Sequence, residues 1–221
     1  MLIQINQIKS GICPEYRLIS DGRFLSAKQF ITHGNGRRLT VSQYNDPIYT
    51  LDYAWSKRIY SNIASIWGGK RCCVKVLNRH YEEIGLISKQ NQGGLFGFAQ
   101  YDFRFGERNY QTYAIERGKM GLSMVLYCNN NAVAMVCKPV VVTDMFDQYV
   151  ATAANETDLM AAALFALYYD MLYHTNMSKY VINAKASTIT YSGKHIMAYF
   201  DEGLWAKMQS ELKSTGLSDL F

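Results

Sequence analysis

Apolar and polar residues alternate along most of this chain, in short stretches that turn residues separate. Residues 16–20 and 23–27 flank Asp21-Gly22, a dipeptide that favours a tight hairpin because both of its positions tolerate a positive φ. Residues 122–127 and 132–136 flank three asparagines in the same way, and asparagine tolerates left-handed backbone. Roughly a dozen strands at spacings of about 8–12 residues are expected, a pattern typical of a β-sandwich or a β-barrel.

Further strands are predicted on both sides of these hairpins. Residues 59–67 and 72–77 are expected to pair with each other across Gly68-Gly69-Lys70-Arg71. The remaining predicted strands cover 39–42, 180–182, 188–191 and 195–199.

One segment breaks the strand pattern. Residues 157–173 contain neither glycine nor proline and are rich in strong helix formers, and Asn155 or Thr157 can cap the start of a helix there. The stretch from Leu159 to Tyr169 carries no charge, and a helix that is apolar all round is either buried in a core or spans a membrane. Because a bilayer requires about 20 apolar residues, the sequence predicts a buried helix.

The many strands and the apolar helix together predict a fold class. A sheet packed on one side of this helix would leave its other side in water, whereas a barrel closed around it buries every side and leaves no exposed strand edge. We therefore predict a mainly β protein, a closed barrel of about twelve strands around a central hydrophobic helix. A barrel filled in this way has no room for an internal ligand. Ligands are expected to bind at its outer surface, rim or loops.

The C-terminal part predicts a second helix over 202–214, and this one is amphipathic. Its apolar face packs either on the barrel or on a partner. The candidate partner-binding residues on this face, beside Leu204, are Trp205, Met208 and Leu212.

Composition supports one large core. The 221 residues are 49% hydrophobic and 19% charged, which excludes a disordered chain. The formal net charge of +5 is a dilute excess without a run of basic residues, so a dedicated nucleic-acid binder is not expected. No linker or repeat interrupts the chain. Residues 1–221 are therefore predicted to form a single domain, with 176–221 as a C-terminal extension packed on it.

The cysteines and the N-terminus point to the cytoplasm. Five cysteines are an odd number at low density, and none of them lies at zinc-ligand spacing from another. They are expected to be small buried side chains in a reducing compartment. The first residues also lack the basic and then apolar segments of a signal peptide.

A succession of elements between Tyr101 and Tyr173 resembles the tubby C-terminal-like superfamily, which includes the LURP-one-related proteins and the phospholipid scramblases. The matching elements are a strand with buried aromatic residues at 110–115, a hairpin that ends at 133–138, a strand at 147–151 and the apolar helix directly after it. The resemblance implies a twelve-stranded barrel around a central helix, in agreement with the argument from the helix itself. It also implies a binding or scaffold role, in some members through phosphoinositides.

The chain departs from the scramblases within this superfamily. It contains neither the cysteine-rich cluster nor the acidic calcium loop that are associated with them, and it continues beyond the predicted central helix. Scramblase activity is therefore not expected, and fold alone does not specify function.

No motif in the sequence specifies catalysis. The four histidines are scattered without the spacing of a zinc protease, there is no GxSxG, and the glycine-rich stretch 93–97 lacks the spacing of a phosphate-binding loop. Glu82 and Glu83 are neighbours and would point to opposite sides of a strand. We therefore predict no catalytic residue, no cofactor and no metal site. An enzyme built on the barrel loops is the least favoured alternative.

Basic pairs in the predicted turns are the better indication of function. Lys57, Arg58, Lys70 and Arg71 lie in or beside these turns and are the candidate ligands for phosphate head groups. Each basic residue near an anionic membrane contributes about 1 kcal/mol. The alternative is that they keep the barrel soluble and protect strand edges. Two binding functions follow: a non-catalytic module at an anionic phospholipid surface, peripheral to the membrane, or a protein-interaction module that uses the C-terminal helix.

Overall fold

The computed structural model describes residues 1–33, 36–53, 71–92, 98–143, 146–173, 185–187 and 190–216. Its main element is a closed antiparallel barrel of twelve strands. The barrel strands, numbered in chain order, are β1 (Leu2–Lys9), β2 (Glu15–Ser20), β3 (Arg23–Thr32), β4 (Gly36–Gln43), β5 (Asp46–Tyr53), β6 (Arg71–Asn78), β7 (Glu83–Gln92), β8 (Phe98–Phe105), β9 (Arg108–Glu116), β10 (Leu122–Cys128), β11 (Asn131–Lys138) and β13 (Gln148–Ala153). Two short strands, β12 (Val141–Thr143) and β14 (Lys185–Ser187), pair with each other outside the barrel.

Neighbouring strands follow chain order around most of the barrel. Each strand from β1 to β10 pairs antiparallel with the next strand in the chain. The barrel closes where β13 pairs with β11 on one side and with β1 on the other. The predicted mainly β fold class and the closed twelve-stranded barrel are thereby confirmed.

Within the described residues, three α-helices accompany the strands, besides a 3₁₀ turn at Gly118–Met120. Helix α1 (Glu156–Tyr173) follows β13 directly, and Asn155 caps it by accepting a hydrogen bond from the Asp158 backbone N–H at 2.9 Å. Helix α2 (Lys194–Met197) is a single turn, and α3 (Glu202–Ser214) begins at Asp201, whose carboxylate accepts the backbone N–H of Leu204 at 2.7 Å. The bounds of α1 and α3 agree with the sequence prediction to within one residue.

The two ends of the barrel differ, and we name them by their connections. The turn end carries the hairpin turns at residues 21–22, 44–45, 79–82, 106–107 and 129–130, and α1 begins there. The loop end carries the connections 10–14, 117–121 and 139–147, and α1 ends there. The side chains at the two tips of α1 show its direction: Arg23 of the turn end pairs with Glu156 at 2.6 Å, whereas Lys89 of the loop end lies over the ring of Tyr173.

The main core joins α1 to the barrel strands. Alternate residues of the strands are buried, as in β1 where Ile3 and Ile5 are buried and their neighbours are half-buried. On α1, every residue from Ala161 to Tyr168 is at most 1% exposed. The Phe165 ring contacts Tyr101 and Phe103 of β8. The helix is therefore buried on all sides, as its lack of a polar face predicts.

A second, smaller core lies on the other side of the barrel wall. It combines residues of β9, β10, β11 and β13 that alternate with those of the main core, together with residues of α2 and α3. Met208 and Leu212 of α3 are buried in it, with 0% and 1% exposure. The amphipathic face of the C-terminal helix therefore packs on the barrel of its own chain.

Part of the strand prediction is wrong, and part lies outside the described residues. Residues 194–197 form the helical turn α2, so the predicted strand at 195–199 is wrong. A half-buried strand would bury alternate side chains on one face. In this turn, only Ile196 is buried. Tyr191 forms an isolated bridge with Arg117. The predicted strands at 59–67 and 180–182, and residues 188–189, lie outside the described residues. The predicted pairing of 72–77 with 59–67 is wrong for residues 75–77, because these pair with β5 on one side and with β7 on the other.

Candidate functional site

The predicted phosphate-binding residues fall mostly outside the described part of the chain. Lys57, Arg58 and Lys70 lie within 54–70, which the structure does not describe. Arg71 is the first residue of β6 and pairs with Lys89 of β7 at the loop end. Tyr53, which ends β5 on the other side of this stretch, also lies at the loop end.

The predicted partner-binding residues are covered to different degrees. Met208 and Leu212 are buried in the second core, whereas Trp205 is half-buried. The guanidinium of Arg117 lies 3.5 Å from the ring centroid of Phe200 and 5.1 Å from that of Trp205. Burial lowers the pKa of the Arg117 guanidinium. The face proposed for a partner is thus largely occupied by contacts within the chain.

Exposed apolar and basic side chains lie at the loop end, on β1, on β3 and on the connection that follows β1. We call this surface the loop-end patch. Its four apolar side chains are between 44% and 55% exposed, although they belong to residue types that are usually buried. The patch consists of Ile8, Lys9, Ile12, Lys28, Phe30 and Ile31.

Hydrogen bonds and ion pairs hold the loop-end patch together. Buried Gln29, next to Phe30, donates its side-chain amide to the Ile12 carbonyl at 2.9 Å and its backbone N–H to the Pro14 carbonyl at 3.0 Å. The connection that carries Ile12 is therefore fastened beside β3. The Ile12 backbone thus lies next to Gln29 of β3, the strand that also carries Phe30 and Ile31.

Two lysines border these apolar side chains. The Glu15 carboxylate lies 3.2 Å from the Lys9 ammonium and 3.1 Å from the Lys28 ammonium. Hydrogen bonds from the two lysines lower the pKa of Glu15, Lys28 having the larger effect. The Lys28 ammonium also lies 5.6 Å from the centroid of the Phe30 ring. Exposed apolar groups edged by cations are typical of a surface that meets an anionic, partly apolar partner.

A buried acidic cluster lies between α1 and the barrel strands near the same end. The Asp170 carboxyl of α1 accepts hydrogen bonds from the hydroxyls of Tyr16 and Tyr149, the latter at 2.6 Å. Asp147 pairs with the Lys138 ammonium at 2.7 Å, and its backbone N–H donates to the Gln7 side chain. Burial, and then the charge of Asp147, raise the pKa of Asp170 to about 7.

A second buried carboxylate anchors the beginning of α1 at the turn end. Asp158 accepts the Tyr110 hydroxyl at 2.8 Å and the Asn155 amide at 2.6 Å, and it pairs with the Arg108 guanidinium at 3.1 Å. Burial raises the pKa of Tyr110 above its usual value. Each charged group in these two clusters is therefore engaged by partners from the barrel, as buried charges require.

Sequence analysis did not identify these two clusters. The only available signal was that the uncharged stretch of α1 begins after Asp158 and ends before Asp170. Their partners Tyr16, Tyr110 and Tyr149 lie far away in the chain. The loop-end patch was missed as well, because exposed isoleucines look like core residues in a sequence.

The described residues contain no group of three His, Cys, Asp or Glu side chains placed to hold a metal ion. Among the described helices, none combines the length and the apolar character needed to cross a bilayer. Comparison of the chain with protein-family models, with curated proteins and with solved structures finds no match.

Proposed function

We propose that this chain is a non-catalytic binding module with a tubby-like fold, and that it contacts anionic phospholipid surfaces through the loop end of its barrel. The fold part of the proposal is supported by the order of elements, in which an antiparallel barrel strand leads directly into a buried apolar helix. The ligand part is carried by one observation, the exposed loop-end patch.

In this proposal, α1 occupies the interior of the barrel. Its side chains and C-terminal carbonyls contact β2 through Tyr16, β4 through Arg37, β8 through Tyr101, β9 through Tyr110 and β13 through Tyr149. These strands are distributed around the barrel rather than along one side. A helix in contact with strands on opposite sides of a closed barrel leaves little interior volume for a ligand. Binding therefore takes place on the outside.

The loop-end patch has the properties that a membrane-contacting surface requires. Its apolar side chains can enter the interfacial region, where each buried CH₂ contributes about 0.8 kcal/mol. Its lysines lie at the edge, where a long side chain can keep its ammonium at the head groups. Electrostatic attraction adds about 1 kcal/mol for each cation close to an anionic surface.

The basic residues singled out in the sequence belong to the same proposal. Arg71 begins β6 at the loop end, and Lys70 precedes it in the chain. We propose that Lys57, Arg58, Lys70 and Arg71 add to the positive charge that Lys9 and Lys28 provide.

Vesicle co-sedimentation tests this function. The chain is mixed with three kinds of vesicle at low and at high salt. The first is phosphatidylcholine alone, the second is phosphatidylcholine with phosphatidylserine, and the third is phosphatidylcholine with a phosphatidylinositol phosphate. We expect salt-sensitive binding to the anionic vesicles only. Neutralising two cations in Lys9→Gln/Lys28→Gln is expected to weaken vesicle partitioning at least about tenfold at low salt, at about 1 kcal/mol per cation.

Two phenylalanines on β3 provide a matched pair of variants. Phe30 belongs to the loop-end patch, whereas Phe24 lies at the turn end and is 59% exposed. Phe30→Asp is expected to abolish binding and Phe24→Asp to leave it unchanged, with unaltered thermal midpoints in both cases. The proposal is overturned if neither anionic lipid binds, if neutral vesicles bind equally well, or if Phe24→Asp is as damaging as Phe30→Asp.

A further inference from the structure

A polar groove lies on the outer side of strands β7 to β10, away from the loop-end patch. Its volume is about 560 Å³, within the range of small-molecule sites. Hydrogen-bonding side chains supply most of its lining, and only two of its residues, Asp102 and Arg104, are charged. The polar lining residues, apart from Tyr110 and Tyr127, are Ser88, Asp102, Arg104, Asn109, Gln111, Asn129 and Asn130.

The register of the barrel aligns these side chains across four adjacent strands. Asp102 of β8 pairs with Ser88 of β7 on one side and with Gln111 of β9 on the other, and Gln111 pairs with Tyr127 of β10. Residues that are directly opposite in neighbouring strands lie about 5 Å apart on the same face of the sheet. They therefore form one continuous row across the groove. Arg104 and Asn109 are paired in the adjacent row.

Contacts outside the groove hold its two charged groups in fixed orientations. The Asp102 carboxylate accepts the side-chain amides of Gln90 and, at 3.1 Å, of Gln100. The Arg104 guanidinium donates to Glu83 at 3.0 Å. The Arg104 charge is thus paired with a carboxylate, and the Asp102 carboxylate already accepts two hydrogen bonds from neutral amides. An anionic ligand therefore meets a cation that already has a counter-charge, and a cationic ligand meets a carboxylate whose oxygens are already hydrogen-bonded.

The amides of the groove, in contrast, are available. Within the described part of the chain, the side chains of Asn109, Gln111 and Asn130 make no hydrogen bond to another protein group. Asn109, Gln111 and Asn130 are all exposed. An amide offers a donor and an acceptor at the same time. A ligand that forms hydrogen bonds with several neighbouring amides needs groups that can each donate and accept a hydrogen bond. A series of hydroxyls has this property.

Tyr127 adds an apolar surface to this row. Its hydroxyl already donates to the Tyr199 carbonyl at 2.9 Å, and its half-buried ring contacts the rings of Tyr113 and Tyr199, so the part that remains for a ligand is the exposed portion of the ring. A polyhydroxylated ring presents hydroxyls around its edge and C–H groups on its faces. The amides of the groove can hydrogen-bond the hydroxyls, and the Tyr127 ring can pack against a C–H face.

We propose that this groove is a binding site for an uncharged carbohydrate, a hexose or a short hexose chain lying along the row from Ser88 to Tyr127. The site is independent of the proposed membrane contact because it uses other strands and other residues. No covalent step is involved, and the site binds the sugar without changing it.

Backbone amide NMR of the full chain tests the proposal, with maltotriose, cellotriose and mannotriose as the added sugars. We expect saturable shifts with at least one of them, confined to residues of the groove such as Gln111 and Asn130. Shifts spread evenly over the surface, or no shift with any of the three sugars, would overturn it.

Variants at exposed positions separate binding from folding. Asn109→Ala/Gln111→Ala removes two free amides and is expected to weaken sugar binding about tenfold, because each lost hydrogen bond contributes a modest amount. Asn91→Ala removes an exposed amide of β7 outside the groove and is the matched control, for which no change is expected. Equal losses in both variants, or unchanged binding in the double variant, contradict the assignment of the groove.

Discussion

At the scale of single residues, two tyrosines adopt backbone conformations that their type disfavours. Tyr44 has φ 51° and Tyr81 has φ 61°, in two hairpin turns of the turn end. The neighbouring turns place Asp21-Gly22 and Asn129-Asn130 at such angles, which these residues tolerate. A left-handed conformation costs an ordinary L-residue about 1–2 kcal/mol. The turn at 44–45 therefore has the backbone geometry of a tight hairpin turn, but its first position holds a tyrosine instead of the usual Asn, Asp or Gly.

Replacing Tyr44 tests this strain. Tyr44 is 91% exposed, so its ring contributes little packing, and Tyr44→Asn is expected to raise the free energy of unfolding by about 1 kcal/mol. Tyr44→Ala removes the same ring without relieving the backbone and is the control. Urea unfolding measures both variants. An Asn variant that is no more stable than the Ala variant would show that the turn is not strained.

The pKa of Asp170 predicts a dependence of stability on pH. Its folded-state pKa is raised from 3.8 to about 7, so between these values the folded chain holds a proton that the unfolded chain has lost. The folded state binds more protons, and its stability is greatest below the lower value and decreases as pH rises towards the upper one. Asp170→Asn is expected to remove this contribution, which amounts to a few kcal/mol at about 1.4 kcal/mol per pKa unit.

Chemical unfolding of wild type and Asp170→Asn from pH 4 to pH 8 measures the effect. The stability of the variant relative to wild type is expected to increase with pH across this window. Asp46→Asn removes an exposed carboxylate and controls for the loss of one negative charge. Parallel curves for wild type and Asp170→Asn would show that Asp170 does not take up the proton.

At the scale of elements, a helix is predictable from sequence when its environment is uniform. Helix α1 is apolar all round and buried all round, so local composition and tertiary contacts lead to the same structure. In the segment that forms α2, the apolar residues at 196–199 suggested a strand, but no strand among the described residues pairs with them. The helical turn forms there because Ile196 and Tyr199 pack on the second core. Such a choice depends on contacts that are remote in sequence.

A charge in α1 tests its burial. Ala162 is 0% exposed, and Ala162→Arg places an unpaired charge in the core at a cost of several kcal/mol, comparable with the whole stability of a domain. We expect the variant not to fold. Thr157→Arg, at an exposed position of the same helix, is expected to fold. Near-ultraviolet circular dichroism distinguishes the outcomes, and a natively folded Ala162→Arg protein would show that α1 is not enclosed.

At the scale of the whole molecule, the barrel depends on one long-range pairing. Strand β1 pairs with β13, so that Ile3 lies opposite Ala151 and the barrel becomes closed. Without this pairing, β1 and β13 would become free edges, and exposed edges promote aggregation. No hairpin turn enforces it, because the two strands lie at opposite ends of the described barrel sequence. Closure must therefore come from packing on the core.

Adjacent residues of β1 test this dependence. Ile5 is 0% exposed in the main core, and Ile5→Asp is expected to open the barrel and give aggregated protein. Asn6 is half-buried and lies opposite Arg17 of β2, so Asn6→Asp is expected to fold and to gain a favourable cross-strand charge pair. Size-exclusion chromatography measures both. A monomeric Ile5→Asp protein with the wild-type thermal midpoint would contradict this role of β1.

Helices α1 and α3 and some of the hairpin turns of this protein can be predicted from short stretches of its sequence. Turn residues such as Asp21-Gly22 and the uniform apolar character of α1 depend only on neighbours in the chain, and so the closed barrel class and the bounds of α1 and α3 could be predicted. The hairpin at 44–45 could not, because Tyr44 is not a usual turn residue.

Contacts between side chains that are distant in the sequence can be identified from the tertiary structure alone. It buried Met208 and Leu212 on the barrel, brought Tyr16 and Tyr149 to Asp170, and left Ile12 and Phe30 exposed beside Lys28. An apolar residue in a sequence is compatible with a core, an interface between elements or an exposed patch. Which of these it enters depends on the closure of the barrel, which joins strands separated by most of the chain.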